Sequence, residues 1–412
     1  MPANLKQCMR KLRPDFMVNP KTTILFINLY TEMGGGEVAL FHLLKELDRT
    51  RFYPVMMFNR NGEFVEKVES IGVATVILPY ESVMLSLLIE PRHIWRTMKA
   101  SREVYAFVRQ HPVQIIHCSD VLSLLLISVT AIRFRIPVVY SVIFTYERIR
   151  IWLLNLLALF LIDLIVTNSH TIRNDLERKT IFLKKRMTVA YHGVDVSLFT
   201  PRRPGEENLL RRELGIDTEV MLVAMVGRFE PSKGHAIFLR AASQIAAQRE
   251  NIYFVVIGGV LFQDVFPFFG NYHEEIIRLW HDLKLERRLV FIPHRSDIPG
   301  VMRSLDLLVM PSVYEGFGLV VLEALASGVP VVASRSVGAL EVVHDVSAVY
   351  VAEPSDPDSF AHKILEAIDA SAGKDPVSVR NGAETVLNGL QWQGYARRME
   401  DIYSSLTEQV TL

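Results

Sequence analysis

From residue 23 onward, short runs of Val, Ile, Leu and Phe alternate with longer stretches of helical periodicity. Residues 23–29, 54–58, 74–78, 113–116, 137–142 and 164–167 read as strands, with amphipathic segments such as 37–47 between them. Strands that are apolar on both faces, separated by helices, predict a parallel sheet covered on both sides. The rhythm breaks at residues 200–207, a polar run with two prolines that reads as a linker. It restarts at 220–226, 252–257, 289–292, 307–310, 330–333 and 349–351. The fold class is therefore α/β, with two doubly wound parallel-sheet domains in tandem, 1–198 and 199–390. A last helical pattern carrying Tyr395, Met399, Ile402, Tyr403 and Leu406 has no strand after it. This terminal helix, 391–407, is expected to complete the first domain.

Length and composition fit that picture: 412 residues, 50% hydrophobic and 22% charged, exclude a mini-protein, a disordered chain and a coiled coil. At about 150 residues per domain the length suggests two or three domains. Forty-five basic and forty-five acidic residues balance overall and give no pull toward nucleic acid. The halves differ, however: residues 1–198 hold 25 Lys and Arg against 17 Asp and Glu, leaving 20 against 28 of the 45 and 45 for the rest. Cys8 and Cys118 lie far apart without metal spacing, which fits a reducing cytoplasm. Lys6, Arg10, Lys11 and Arg13 precede an apolar run too short for a signal peptide. Residues 151–166 are apolar apart from Asn155 and Asp163. They fall short of the ~20 residues of a membrane span, and read either as a buried helix running into a strand or as an interfacial membrane contact.

In doubly wound sheets, ligands sit beyond the carboxyl ends of strands, so residues just after strands carry the candidate chemistry. After the first strand, Gly34, Gly35 and Gly36 permit close backbone approach at a helix start, or form a plain tight turn. After the first strand of the second domain come Arg228 and Lys233, two cations suited to clamp a diphosphate; the plainer reading is a solvated loop with Ser232 capping a helix. After the strand at 307–310 a glycine-containing loop leads into a helix starting near Gly318 and stopping at Gly328. Glu323 lies in that apolar helix, where a buried carboxylate needs donors such as vicinal sugar hydroxyls or, more plainly, a local Arg or amide.

Glu315 and Glu323 enclose seven residues in a strand–loop–helix, downstream of Arg228 and Lys233. With Ile115-Ile116-His117, Thr167-Asn168-Ser169, His192-Gly193-Val194-Asp195 and Asp297-Ile298-Pro299, the chain resembles glycosyltransferase family 4, retaining enzymes of the GT-B fold with an E-x7-E motif. The resemblance spans about 22–352. It implies two Rossmann-like domains facing across a cleft, the first binding an acceptor and the second a nucleotide-sugar. It implies that Arg228 and Lys233 hold the donor diphosphate and that Glu323 bonds the ribose. Glu315 would contact the sugar, with Phe317, Gly318 and Leu319 amides near sugar and phosphate. Gly35 and Gly36 would approach the diphosphate or acceptor. By position alone, His294 and Arg295 follow the strand at 289–292 and read either as flanking the nucleotide base or as plain loop residues, and His117, at the end of an apolar strand, reads as a core residue or an acceptor contact. The bond to the diphosphate breaks through an oxocarbenium-like state, so positive charge at the leaving group matters more than a strong base. The resemblance implies retention by front-face attack without a protein nucleophile.

Three positions depart from the family pattern: Ile143 stands where many relatives have a His, His192 where an Asn is usual, and Gly258-Gly259 replaces a Gly-x-Gly. Residues 260–270 read as a variable loop. Asp356-Pro357-Asp358 spells DxD but precedes a helix and reads as an N-cap, so no metal or other cofactor is expected. The reading is a cytoplasmic glycosyltransferase whose partners are a nucleotide-sugar and a saccharide or lipid-linked acceptor, with no nucleic acid. A sugar-nucleotide epimerase or hydrolase and a non-catalytic binder remain as alternatives. The basic first half and its apolar runs, 121–132 and 151–166, point to peripheral contact with an anionic membrane face; the competing reading places both runs in the core.

Overall fold

The computed structural model describes residues 21–78, 91–144, 154–157, 160–180, 186–260, 268–371, 373 and 375–411. Two compact units divide the chain: residues 1–191 with 392–412, and residues 192–391.

The first unit runs β1 (Thr22–Ile27), α1 (Gly35–Glu46), β2 (Phe52–Phe58), α2 (Glu63–Ser70), β3 (Ala74–Ile77), α3 (Pro91–Gln110), β4 (Ile115–Cys118), α4 (Val121–Phe134), β5 (Val138–Val142), β6 (Leu164–Thr167), α5 (His170–Lys179) and β7 (Met187–Val189). Among the described residues these strands form a parallel sheet of order β3-β2-β1-β4-β5-β6-β7. β1 and β4 are neighbours in space although two strands intervene in sequence, so the winding reverses between them. The helices start where polar caps dictate. Asp120 accepts from the Ser123 amide at α4 (2.9 Å) and Ser169 from the Ile172 amide at α5 (3.2 Å).

The second unit runs α6 (Leu209–Leu214), β8 (Met221–Val226), α7 (His235–Ala246), β9 (Ile252–Ile257), α8 (Phe268–Asp282), β10 (Leu289–Ile292), α9 (Ile298–Met302), β11 (Leu307–Met310), α10 (Leu319–Ala326), β12 (Val331–Ser334), α11 (Leu340–Val343), β13 (Val349–Ala352), α12 (Pro357–Ser371) and α13 (Pro376–Gly389). Its sheet has the order β10-β9-β8-β11-β12-β13 and reverses between β8 and β11. The central strands are buried on both faces, Val223, Phe254, Val256 and Val332 being fully enclosed.

The last helix, α14 (Trp392–Thr411), returns to the first unit. Trp392 stacks flat on His42 at 4.4 Å, the Asp48 amide donates to Glu400 at 2.7 Å, and Tyr403 is wholly buried against Phe26 and Phe52. Its apolar positions recur at helical spacing, and each buried side chain of this size contributes about 1.5–3 kcal/mol.

Two expectations need correction. Residues 200–207 are not the link between units. The second unit already begins at His192, because Val194 donates to the Leu390 carbonyl and Arg380 donates to the carbonyls of Val196 and Phe199. β7, with three residues, is too short to show a usable period. The run 121–132 is core on one side only: Leu124 and Ile127 are buried, whereas Val129 and Ile132 face solvent. In the run 151–166, Leu154 and Ile162 are buried and Phe160 is exposed, while 151–153 and 158–159 lie outside the described residues. Lys6, Cys8, Arg10, Lys11, Arg13 and most of the loop 260–270 also lie outside them.

Candidate functional site

The second unit concentrates charge where its sheet reverses direction. β8 ends at Val226 and β11 at Met310, adjacent strands whose following loops meet. The Val313 amide donates to the Ser232 carbonyl at 2.8 Å and ties one loop to the other. Gly234 makes that approach possible. It adopts a left-handed φ of 78°, and a Cβ there would lie 2.0 Å from the Pro311 carbonyl oxygen.

Lys233 leaves this turn with its ammonium 2.5 Å from a Glu315 carboxylate oxygen. Arg228 lies 3.2 Å from Glu230, whose other oxygen accepts from the Ser232 hydroxyl. Ser232 therefore braces Glu230 and caps no helix, a correction to the plainer reading. α7 starts at Gly234, which brings no side-chain cap, and the Tyr272 ring packs edge-on against His235 at 5.8 Å, where burial pushes the phenol's pKa up to about 12. Burial, with help from Lys233, pulls buried His235 down to about 3 and keeps it neutral.

The loop bearing Glu315 is fixed from its other side as well. Gly338 donates to the Glu315 carbonyl and Ala339 to that of Phe317. Phe317 is buried, with its ring edge against His192 at 5.7 Å. Gly318 takes a left-handed φ of 91° at the start of α10, with Met310 and Val337 crowding any added side chain, so Leu319 begins a helix whose first amides follow the loop directly. One turn on, Glu323 is half-buried in an apolar helix, and burial pushes its pKa up to about 7. Arg228, Lys233, Glu315, Phe317, Gly318 and Leu319 thus lie on the two loops that meet at the switch point, and Glu323 lies one turn into α10.

Arg295 stands on a different loop. It follows β10, the edge strand, and its guanidinium is held by Asp297 and Glu213, each at 2.8 Å, which also raises its pKa. The two carboxylates fix the direction of this guanidinium on the loop after β10. His294 is exposed beside Gly259.

The first unit presents a different rim. His117 is buried, with Nδ1 2.6 Å from the Tyr403 hydroxyl and Nε2 2.7 Å from the Ser141 hydroxyl. Burial lowers its pKa to about 3, so the ring is neutral. If Nδ1 carried the proton, the buried phenol would have no acceptor shown for its own. The bonds therefore run from the Tyr403 hydroxyl to Nδ1 and from Nε2–H to Ser141. With both nitrogens taken, His117 is a core residue, and its acceptor-contact reading is corrected. Ser141, half-buried at the end of β5, and Tyr403 were missed. No motif marks either; only the fold brings them to His117.

The glycine loop is less open than the sequence implies. Glu37 accepts from the Gly34 amide at 3.1 Å and from Asn28 at 3.4 Å, so a carboxylate already stands at the start of α1. That opposes the phosphate reading of Gly35 and Gly36. A side chain on Gly36 would meet Ile143 at 2.4 Å, whereas Gly35 has open space. Asp356 caps α12, accepting from Asp358 and Ser359, and among the described residues no cluster of His, Cys, Asp or Glu has metal-binding geometry.

Solved structures with this fold include Anabaena Alr3699/HepE in complex with UDP-glucose, with TM-score 0.78, 22% identity, and coverage of 93% of this chain and 99% of that one. Sucrose-phosphate synthase from Thermosynechococcus elongatus superposes with TM-score 0.77 at 21% identity, covering 94% of this chain and 100% of the other. Two such parallel-sheet units are the fold of GT-B glycosyltransferases. The model of Glycosyltransferase Family 4 matches residues 33–198 and that of Glycosyl transferases group 1 matches residues 206–385, so the chain belongs to these glycosyltransferases. Among curated relatives, D-inositol 3-phosphate glycosyltransferase of Corynebacterium efficiens is 28% identical over 228 residues, 54% of this chain and 51% of that protein. The namesake from Mycobacterium sp. strain JLS is 33% identical over 200 residues, 48% of this chain and 42% of that protein. The chain thus spans about half the length of the curated relatives it matches.

Proposed function

We propose that the chain transfers a sugar from a nucleoside-diphosphate sugar to an acceptor hydroxyl, with retention of anomeric configuration and without a metal or other cofactor. The observation that carries this reading is the meeting of Arg228, Lys233 and the start of α10 at the switch point of the second unit. Two cations and a helix N-terminus there suit a leaving diphosphate. Glu315, held by Lys233, is aimed by that bond and would contact the donor sugar. Glu323 gains two hydroxyl donors from the ribose, which favours its ionised form. The first unit takes the acceptor through the Gly35 loop and the Ser141 hydroxyl, whose proton is left free to donate. That acceptor is a saccharide or lipid-linked saccharide of cell-surface synthesis, and the working compartment is the cytoplasm. The relatives' names add an inositol phosphate to the acceptor panel.

Thermal shift with UDP-, GDP- and ADP-sugars identifies the donor, since a ligand of the folded state alone raises apparent stability. Product analysis with each acceptor then reads linkage and anomer. Inversion, or turnover that is strictly dependent on a divalent ion, would overturn the reading.

A further inference from the structure

Helices α3 and α4 pack side by side and carry an outward face that the transfer chemistry does not use. On α3, Ile94, Trp95 and Met98 project into solvent, Trp95 being 63% exposed. On α4, Val129 and Ile132 do the same, with Val129 62% exposed. Residues 100, 104, 107 and 108 turn the other side of α3 into the core, so the exposed positions occupy one outward arc.

The same face is basic. Arg96, Lys99, Arg102 and Arg109 on α3, with Arg133 and Arg135 at the end of α4, are all exposed. The carboxylates between residues 94 and 135 are Glu103 and Asp120, and both are buried. Lys99 places its ammonium 5.8 Å from the centre of the Trp95 ring, so cation and indole project together.

We propose that this face docks on an anionic lipid bilayer, with Trp95, Met98 and Val129 entering the interface and the arginines meeting lipid phosphates. Interspersed large apolar and basic side chains on a helix surface fit a membrane boundary, where one kind enters the acyl edge and the other stays at the headgroups. A nucleic-acid backbone would use the cations and gain nothing from burying Ile94, Met98, Val129 and Ile132. Among the described residues no helix is long and apolar enough to cross a membrane. The contact deepens the lipid-linked acceptor reading, yet it stands apart from the transfer step and is measured separately from it.

Flotation of the full chain tests it, using phosphatidylcholine vesicles with and without phosphatidylglycerol. Binding is expected only with the anionic lipid and is expected to weaken with salt. The triple variant Arg96→Gln, Lys99→Gln, Arg102→Gln should lower partitioning roughly 100-fold, at about fivefold per charge. Trp95→Ser should lower it about tenfold. Both variants should keep the wild-type melting temperature and turnover on a soluble acceptor. Equal binding to neutral vesicles, no binding at low salt, or wild-type binding by the triple variant overturns the proposal. So does loss of binding confined to a variant neutralised at Lys6, Arg10, Lys11 and Arg13, or tighter binding of a short RNA than of anionic vesicles. Failed turnover with intact flotation would instead count against the transfer reading alone.

Discussion

The two units share one winding and differ in what they place where it reverses. Between β8 and β11 the second unit sets Arg228, Lys233, Glu230 and Glu315 in a cross-braced charge cluster. Between β1 and β4 the first unit sets glycines, a helix-capping Glu37 and a neutral His117. A doubly wound sheet therefore guarantees a crevice but not its chemistry, which comes from a few loop residues. Substitutions should separate the rims: at the second they should change chemistry, and at the first they should change fit or stability.

The largest effect is expected at the cations. Arg228→Ala and Lys233→Ala should each lower kcat by ~10²–10³, about 3–4 kcal/mol of barrier, by analogy with removal of an oxyanion donor. Losing Lys233 also leaves the Glu315 carboxylate without its 2.5 Å partner, so lysine is needed for alignment as well as charge. Steady-state kinetics with a matched melting curve decides the matter; near-normal kcat in both variants would remove the charge contrast between the units.

The carboxylates come next, and pH sharpens them. Glu323 holds its proton up to about pH 7 when folded, against an ordinary value of 4.5. The folded state therefore binds more protons than the unfolded chain between these values. Stability is highest below about pH 4.5, falls as pH rises to about 7, and is level above. Glu323→Gln should abolish that fall and raise stability at pH 8 by on the order of 1–3 kcal/mol, while weakening nucleoside-diphosphate binding. Glu315→Gln should leave nucleotide affinity nearly unchanged and slow the sugar-dependent step. Melting curves against pH with calorimetric binding check both. Equal loss of nucleotide affinity in the two variants would reject the division of roles.

The second rim was the more legible from sequence, for a physical reason. Its residues lie in two short continuous segments, each a strand, turn and helix start, so spacing alone assembles them. The first rim depends on residues far apart in sequence: Ser141 and Tyr403 reach His117 through strand order and the return of α14. Long-range packing also sets Arg295 in a way no local spacing shows, since Glu213, which holds it, comes from α6. The linker was misread because polarity and proline mark exposure, whereas the boundary is set by Arg380 gripping the carbonyls before it.

A smaller effect is expected inside the first unit. Tyr403→Phe keeps the ring and deletes the hydroxyl, leaving buried Nδ1 of His117 without its donor. About 1–2 kcal/mol of stability should be lost, with kcat nearly unchanged. Chemical denaturation measures it. A large kcat defect with normal stability would instead make the Tyr403–His117–Ser141 chain part of the reaction.

The smallest change in stability separates two glycines. At Gly258, in the second unit, a Cβ would sit 1.9 Å from the Gly227 carbonyl oxygen, so that glycine is required by backbone packing whatever the ligand. At Gly35 nothing lies within 4 Å of an added Cβ, and φ is not in the left-handed region. Gly35→Ala should therefore leave the fold unchanged or stabilise α1 by about 0.5 kcal/mol, because alanine loses less chain entropy than glycine on entering a helix. If the open space is where an acceptor approaches the backbone, the same methyl group must raise KM for the acceptor several-fold without moving the donor's KM. A plain turn predicts no change in either constant. Unchanged KM for the acceptor would reduce the glycine loop to a connector and shift the acceptor's contacts toward Ser141 at the end of β5.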